Sequence, residues 1–241
     1  MVPSNGAPPA YDTDGAQGRN AVVSEAPSQV RHARRPHSSG APDSVTYVRA
    51  AVVIPVKGFH AAKLRLAPAL SPAARAVLAR QMATRVVQAA GDLPVIVVCE
   101  DDVVRQWALE AGASVRWTPG LGLDGAVTAG VEAAADAGAD RVVVAHADLP
   151  LATGLGHVVG QHGVLLVPDR HGDGTNVLAL PTDSGFRFSY GPGSFLRHQA
   201  EATRLGLAID IHTDVELGWD VDLPDDLNLP GGADLAAGRH C

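Results

Sequence analysis

Apolar runs of strand length alternate with helically spaced segments along residues 47–146, and that alternation restricts the chain to an α/β fold. Tyr47–Val56 is a nearly unbroken apolar stretch, as a strand buried on both faces requires. Ser71 is placed to cap a helix that Pro72 opens and that runs through Ala90. Pro94–Cys99 reads as a second strand, and Asp102–Ala111 as a helix ended by Gly112. A short strand at Ala113–Trp117, a helix at Leu123–Ala137 and a central strand at Arg141–His146 follow. Strands at Val164–Val167 and Asn176–Leu180 enclose a Gly-rich loop, with a helix over Gly193–Gly206 and a strand at Ala208–Ile211. The expected architecture is a single domain over residues 45–230, with a mostly parallel central sheet flanked by helices.

Residues 1–44 contain no Leu, Ile, Phe or Trp, and sixteen of them are Pro, Gly or Ser. Such a segment cannot bury enough apolar surface to offset its ordering entropy, so a disordered extension is expected there, and a flexible tail at 231–241. Arg34 and Arg35 are followed by no apolar stretch of signal-peptide length, and no run approaches the ~20 apolar residues of a membrane span. Only Cys99 and Cys241 are present, which excludes a disulfide scaffold and fits a cytoplasmic protein.

The net charge of −7 excludes a nucleic-acid binder that relies on a broad basic surface. Within the 19 basic residues the balance is lopsided. Only two are lysines, Lys57 and Lys63, and both lie in the loop that leaves the first strand.

In an open α/β sheet, ligands collect at the carboxyl ends of the strands. The loop after the first strand carries Lys57, Gly58, Lys63 and Arg65. Three cations beside a glycine suit a polyphosphate, because glycine admits the backbone and the cations neutralise oxygens. The strand Arg141–His146 runs straight into Asp148, and Asp220 and Asp222 alternate on a later extended segment, pointing the same way. If Asp148 and Asp220 converge, they form a hard oxygen site for Mg²⁺. Asp225 and Asp226 fall in the first turn of a helix opened by Pro224, where acidic residues suit the helix dipole. Two Gly-rich loops, Pro168–Asn176 and Tyr190–His198, offer Thr175 and Ser194 hydroxyls, and the second opens a helix whose N–H groups favour an anion. His146, His171 and His198 read as packing or polar-contact residues, since no metal-ligand spacing links them.

Taken together, Ile-Pro-Val-Lys…Lys-Leu-Arg-Leu-Ala-Pro at 54–68, Ala-Asp-Leu-Pro at 147–150, Pro-Asp-Arg-His-Gly-x-Gly-Thr-Asn at 168–176, Gly-Pro-Gly-Ser-Phe-x-Arg-His at 191–198 and Asp-Val-Asp-x-Pro-Asp-Asp-Leu at 220–227 resemble the CofC/FbiD family. Its members are 2-phospho-L-lactate or phosphoenolpyruvate guanylyltransferases of coenzyme F-420 biosynthesis. The motifs stand in family order and span residues 48–228. The resemblance implies a GT-A-like, MobA-like nucleotidyltransferase fold, related to molybdopterin-guanine dinucleotide synthases. It implies transfer of GMP from GTP to a phosphorylated three-carbon acid, with release of pyrophosphate and hand-over of the product to the next enzyme of the pathway. Nucleic acid and membrane partners are not expected. Lys57, Gly58, Lys63 and Asp124 are then the nucleotide residues, with Lys57, Lys63, Arg65 and Asp148 catalytic. Asp148 and Asp220 hold Mg²⁺, with Asp222 an alternative ligand. Thr175, Gly191 and Ser194 bind the acceptor, partly through backbone N–H groups. The chain departs from the family pattern at Asp173, Leu223 and Asp124, and in a short, Gly-rich Leu151–Gly163 segment.

A nucleotidyltransferase for a different base or acceptor is the near alternative, and two other classes compete. Gly120-Leu-Gly-Leu-Asp-Gly125 matches G-x-G-x-x-G, with Asp148 about twenty residues on, which would make the protein an NAD-binding oxidoreductase. A non-catalytic binding module would keep the sheet and lack turnover.

Overall fold

The computed structural model describes residues 49–160, 162–232 and 235. The expected N-terminal extension and most of the expected C-terminal tail lie outside the described residues.

Seven strands form one sheet: β1 Ala50–Pro55, β2 Val95–Cys99, β3 Ser114–Trp117, β4 Arg141–Ala145, β5 Val164–Pro168, β6 Thr175–Pro181 and β7 Ile209–Ile211. Their spatial order is β3-β2-β1-β4-β6-β5-β7. β6 runs antiparallel to both β4 and β5, and the other neighbours are parallel. The helices are α1 Pro72–Ala89, α2 Asp102–Glu110, α3 Gly122–Asp136, α4 Ser194–Arg204 and the single turn α5 Val215–Gly218. The caps follow the sequence. Ser71 Oγ accepts from Ala74 N at 3.2 Å, and Asp101 accepts from Val103 N and Val104 N, both at 3.0 Å. One element differs in kind: the helix expected from Pro224 is a four-residue 3-10 turn, Pro224–Leu227.

The apolar residues of β1, β2 and β4 split by alternation into two layers. Val52, Ile54, Val97 and Val143 pack with α1 and α2, while Val53, Val98, Val142 and Val144 pack with α3. A Cβ on Gly130 would stand 2.6 Å from Val53 Cγ1 and 2.7 Å from Val98 Cγ1, so α3 lies closer to the sheet than alanine permits. A third, smaller cluster has a functional consequence. Leu66 and Leu70 from the lysine loop, Leu78 and Met82 from α1, and Val221 and Leu227 from the late acidic segment pack together. Hydrophobic burial thus anchors the cationic loop and the acidic segment to the same helix face.

Candidate active site

The carboxyl ends of β1, β2 and β4 open onto a cleft of about 660 Å³. Lys57, Lys63, Arg65, Glu100, His146, Asp148 and Asp222 are among its lining residues. Five of these seven are the site residues expected from sequence; Glu100 carries no motif signal, and His146 reads as a packing or polar-contact residue.

The acidic cluster is complete. Asp148, Asp220 and Asp222 each present an oxygen within 4.8 Å of the others. Lys63 is set among them, with Nζ donating to Asp148 Oδ2 at 2.5 Å and to Asp222 Oδ1 at 3.1 Å. Its side chain is 12% exposed and that of Asp148 is 19% exposed. Arg65 Nη1 lies 3.6 Å from Asp222 Oδ2 but is largely in solvent. Lys63 is also the one non-glycine residue with positive φ among the described residues, at φ 55°, ψ 42°. A left-handed lysine is costly, and it persists where the surroundings over-determine it.

Charge accounts for the titration behaviour. Burial pushes Asp148 up, but the Lys63 ammonium outweighs it and holds the carboxyl below its usual range. Burial pushes Lys63 down, and Asp148 and Asp222 together reverse that, leaving it raised. Asp220 has no such cation. Burial, then the Asp148 charge, raises it. Asp148 Oδ1 is buried with no hydrogen-bond partner.

Asp226 does more than complement a helix end. It is 4% exposed, and its Oδ2 accepts from Asp222 N at 2.8 Å and Leu223 N at 2.7 Å. Arg170 ion-pairs with the other oxygen, donates to Asp220 O at 3.1 Å, and lies 4.3 Å over the Trp219 ring. The two residues hold the backbone that carries Asp220 and Asp222. Its sequence signal, an acid in the first turn opened by Pro224, reads equally well as dipole complement. Asp226→Ala leaves two part-buried N–H groups without their acceptor and takes the carboxylate from Arg170, which keeps Asp220 O and the Trp219 ring; it should cost about 2 kcal/mol, read from urea unfolding midpoints.

The expected acceptor residues gather around α4. Gly191 is exposed with φ 99°, while Thr175 and Ser194 are 2% and 1% exposed. Ser194 Oγ accepts from Thr175 N at 3.0 Å, and Thr175 Oγ1 lies 3.0 Å from His198 Nδ1. These hydroxyls tie β6 to the start of α4. Arg197 donates to the carbonyls of Ser189, Tyr190, Pro192 and Gly191, taking up the acceptor side of the loop. Gly58 and Asp124 do not line the cleft. A Cβ on Gly58 would meet Asp101 Oδ2 at 2.7 Å, and Asp124 Oδ1 accepts from Tyr190 N at 2.8 Å. The first is a packing requirement and the second a loop tether.

His198 behaves as the packing residue expected. Ser189 N donates to its Nε2 at 3.1 Å, which assigns the proton to Nδ1 and Thr175 as acceptor. Burial, then the Arg197 charge, pushes its pKa down to about 4. The unfolded chain protonates His198 near 6.5, so stability is full above that pH and falls as pH drops toward 4. The loss amounts to on the order of 3 kcal/mol. Unfolding midpoints between about pH 7 and pH 5 should show this slope, and His198→Gln should flatten it.

The Gly120–Gly125 turn does not make a dinucleotide site. It follows the edge strand β3, not the central β1, and Gly120 N is taken by Glu100 at 2.9 Å.

A mostly parallel sheet with a cationic loop and an acidic cluster at its carboxyl ends defines a GT-A-like nucleotidyltransferase. A solved structure described as a nucleotide-diphospho-sugar transferase from Desulfovibrio desulfuricans G20 shares the fold, with TM-score 0.60 at 19% identity over 76% of this chain and 86% of that one. The family described as guanylyl transferase CofC like matches residues 50–229, and the chain belongs to it. The phosphoenolpyruvate guanylyltransferase of Sphaerobacter thermophilus is 35% identical over 184 residues, 68% of this chain and 89% of the relative. The 2-phospho-L-lactate guanylyltransferase of Methanothermobacter thermautotrophicus is 31% identical over 177 residues, 68% of this chain and 76% of the relative.

Proposed function

We propose that the protein transfers GMP from GTP to phosphoenolpyruvate or 2-phospho-L-lactate, as a step in coenzyme F-420 biosynthesis. The observation that carries this is the pairing of Lys63 with Asp148 and Asp222 in the lining of a nucleotide-sized cleft. The relatives' names supply the base and the two acceptors. In the reaction, an acceptor phosphate oxygen bonds to the α-phosphorus of GTP as the bond to the β-phosphate oxygen breaks, and pyrophosphate leaves. The acceptor is already anionic, so no strong general base is needed. What remains for the protein is alignment and charge neutralisation.

Asp148, Asp220 and Asp222 fit a divalent cation such as Mg²⁺, since three converging carboxylates include a buried oxygen, Asp148 Oδ1, with no partner. When bound, such an ion supplies positive charge to the triphosphate oxygens. Lys63 offsets the mutual repulsion of the carboxylates and holds Asp148 ionised at neutral pH. Lys57 and Arg65, both exposed on the cleft, take the triphosphate with it. Gly191, exposed on a loop shaped by Thr175 and Ser194, is the part of this loop left to the acceptor; contrary to the expected anion site at the start of α4, the N–H groups of Gly193, Ser194 and Phe195 are taken by Asp173 Oδ2, Gly191 O and Asp173 O. Asp124 steadies that loop from the start of α3, and Gly58 lets the lysine loop close on α2. No helix among the described residues is long and apolar enough to cross a membrane. A cytoplasmic site of action is part of the same reading, as is hand-over of the product to the next enzyme of the pathway.

The test is product mass after incubation of the full chain with GTP, Mg²⁺ and either acceptor. A guanosine diphosphate ester of one acid supports the reading; pyrophosphate-free mixtures with both acids overturn it. Competition by ATP, CTP and UTP checks the base.

A further inference from the structure

Away from the cleft, a second cluster of ligating side chains is assembled from parts of the chain 55 residues apart. His157 lies in the 3-10 turn Gly156–Val158, His212 follows β7, and Asp214 caps α5. We propose that His157, His212 and Asp214 form a site for a transition-metal ion of the Zn²⁺ class, distinct from the oxygen-only cluster of the active site.

The geometry carries this. The Nε2 atoms of His157 and His212 lie 3.1 Å and 3.7 Å from one and the same atom, Asp214 Oδ2. All three residues offer ligand atoms within 4.8 Å of one another. Ligands at ~2.0–2.1 Å from a tetrahedral Zn²⁺ stand about 3.4 Å apart, so the present spacings bracket the edge of such a site. The carboxylate is already oriented. Asp214 Oδ1 accepts from Glu216 N at 2.7 Å and Leu217 N at 2.9 Å, which leaves Oδ2 to face the imidazoles. Burial pushes Asp214 up, but these N–H groups and His157 hold it below its usual range. The imidazole centroids lie 5.4 Å apart with the ring planes tilted by 60°, and both side chains are about half exposed, which gives an ion access and leaves coordination positions to water.

Donor type separates the two clusters. Two imidazoles and one carboxylate favour borderline ions such as Zn²⁺ or Co²⁺, whereas three carboxylates favour Mg²⁺. An ion on the histidine cluster would tie the 151–160 segment to the β7–α5 connection. That connection continues, six residues after Asp214, into Asp220. The site therefore acts as a clamp on the framework of the acidic segment and takes no part in the transfer itself.

The experiment uses the metal-free full chain with Mg²⁺ in excess, titrated with Co²⁺ and followed by its visible d–d absorption, then with Zn²⁺ as competitor. One equivalent of Co²⁺ with a low-coordinate N/O spectrum is expected, displaced by Zn²⁺ and accompanied by a raised Tm. The double variant His157→Gln, His212→Gln should lose that equivalent, with at least a tenfold weaker affinity, and keep its Mg²⁺-dependent turnover. Asp214→Asn, which retains an oxygen for the cap, should weaken Co²⁺ binding likewise. Absence of Co²⁺ and Zn²⁺ binding in the parent chain would leave only a His–Asp ion pair and overturn the proposal. So would an unchanged spectrum and stoichiometry in the double variant, which would place the ion on other histidines such as His32, His37 or His240.

Discussion

Asp148→Asn should lower the rate of pyrophosphate release by at least about 10³-fold while leaving the chain folded. Asp148 contributes on two counts. Its Oδ2 pairs with Lys63 at 2.5 Å, and its Oδ1 is buried without a partner, so it is the cluster oxygen with the most to gain from a cation. Asparagine keeps the volume and removes the charge. Lys63 keeps Asp222 at 3.1 Å, and Asp148 O still accepts from Val221 N at 3.3 Å, so the local backbone has its contacts. A variant with near-parental turnover and intact circular dichroism would remove Asp148 from the chemistry and favour a binding module. A variant that merely unfolds is distinguished by its urea midpoint.

Lys63→Arg is the second large effect, because it keeps the charge and changes only its shape. The ammonium is a compact point between two carboxylates, on a side chain that is 12% exposed. A guanidinium is planar and broader, and the backbone it would hang from is left-handed at φ 55°. Turnover should fall by about 10²-fold, as for loss of one preorganised charge contact. Lys63→Met goes further. The three carboxylates then face each other with only the exposed Arg65 beside Asp222, Asp148 loses the ammonium that holds its carboxyl below the usual range, and turnover should fall below that of the arginine variant. Steady-state kinetics at saturating GTP separate these outcomes. Full activity in Lys63→Arg would show that any fixed positive charge suffices there.

The sequence carried the fold because its cues are local. The strand segments read from the sequence lie within three residues of their observed ends, and the cap at Ser71 lies where short-range hydrogen bonding puts it. The cationic loop and Asp148 were equally legible, since each follows a strand that ends at the ligand-binding edge. The 3-10 turn at Pro224 was not, because Asp226 is drawn to backbone N–H groups and to Arg170, 56 residues away in the chain. Nor was the inward turn of Thr175 and Ser194, whose hydroxyls look identical in sequence whether they face a ligand or, as here, His198 and the Thr175 N–H.

By itself, then, the sequence determined the α/β layering, the edge of the sheet where chemistry gathers, and the residue types brought there. The tertiary structure decided which charges meet. The sequence places Lys63 on the cationic loop; the fold sets its ammonium between Asp148 and Asp222, 85 and 159 residues away. The cause is the small apolar cluster of Leu66, Leu70, Leu78, Met82, Val221 and Leu227, which seats the lysine loop and the acidic segment on one face of α1. Hydrophobic periodicity fixes that each of these side chains is buried. Only packing among distant segments fixes which carboxylate a buried ammonium finds.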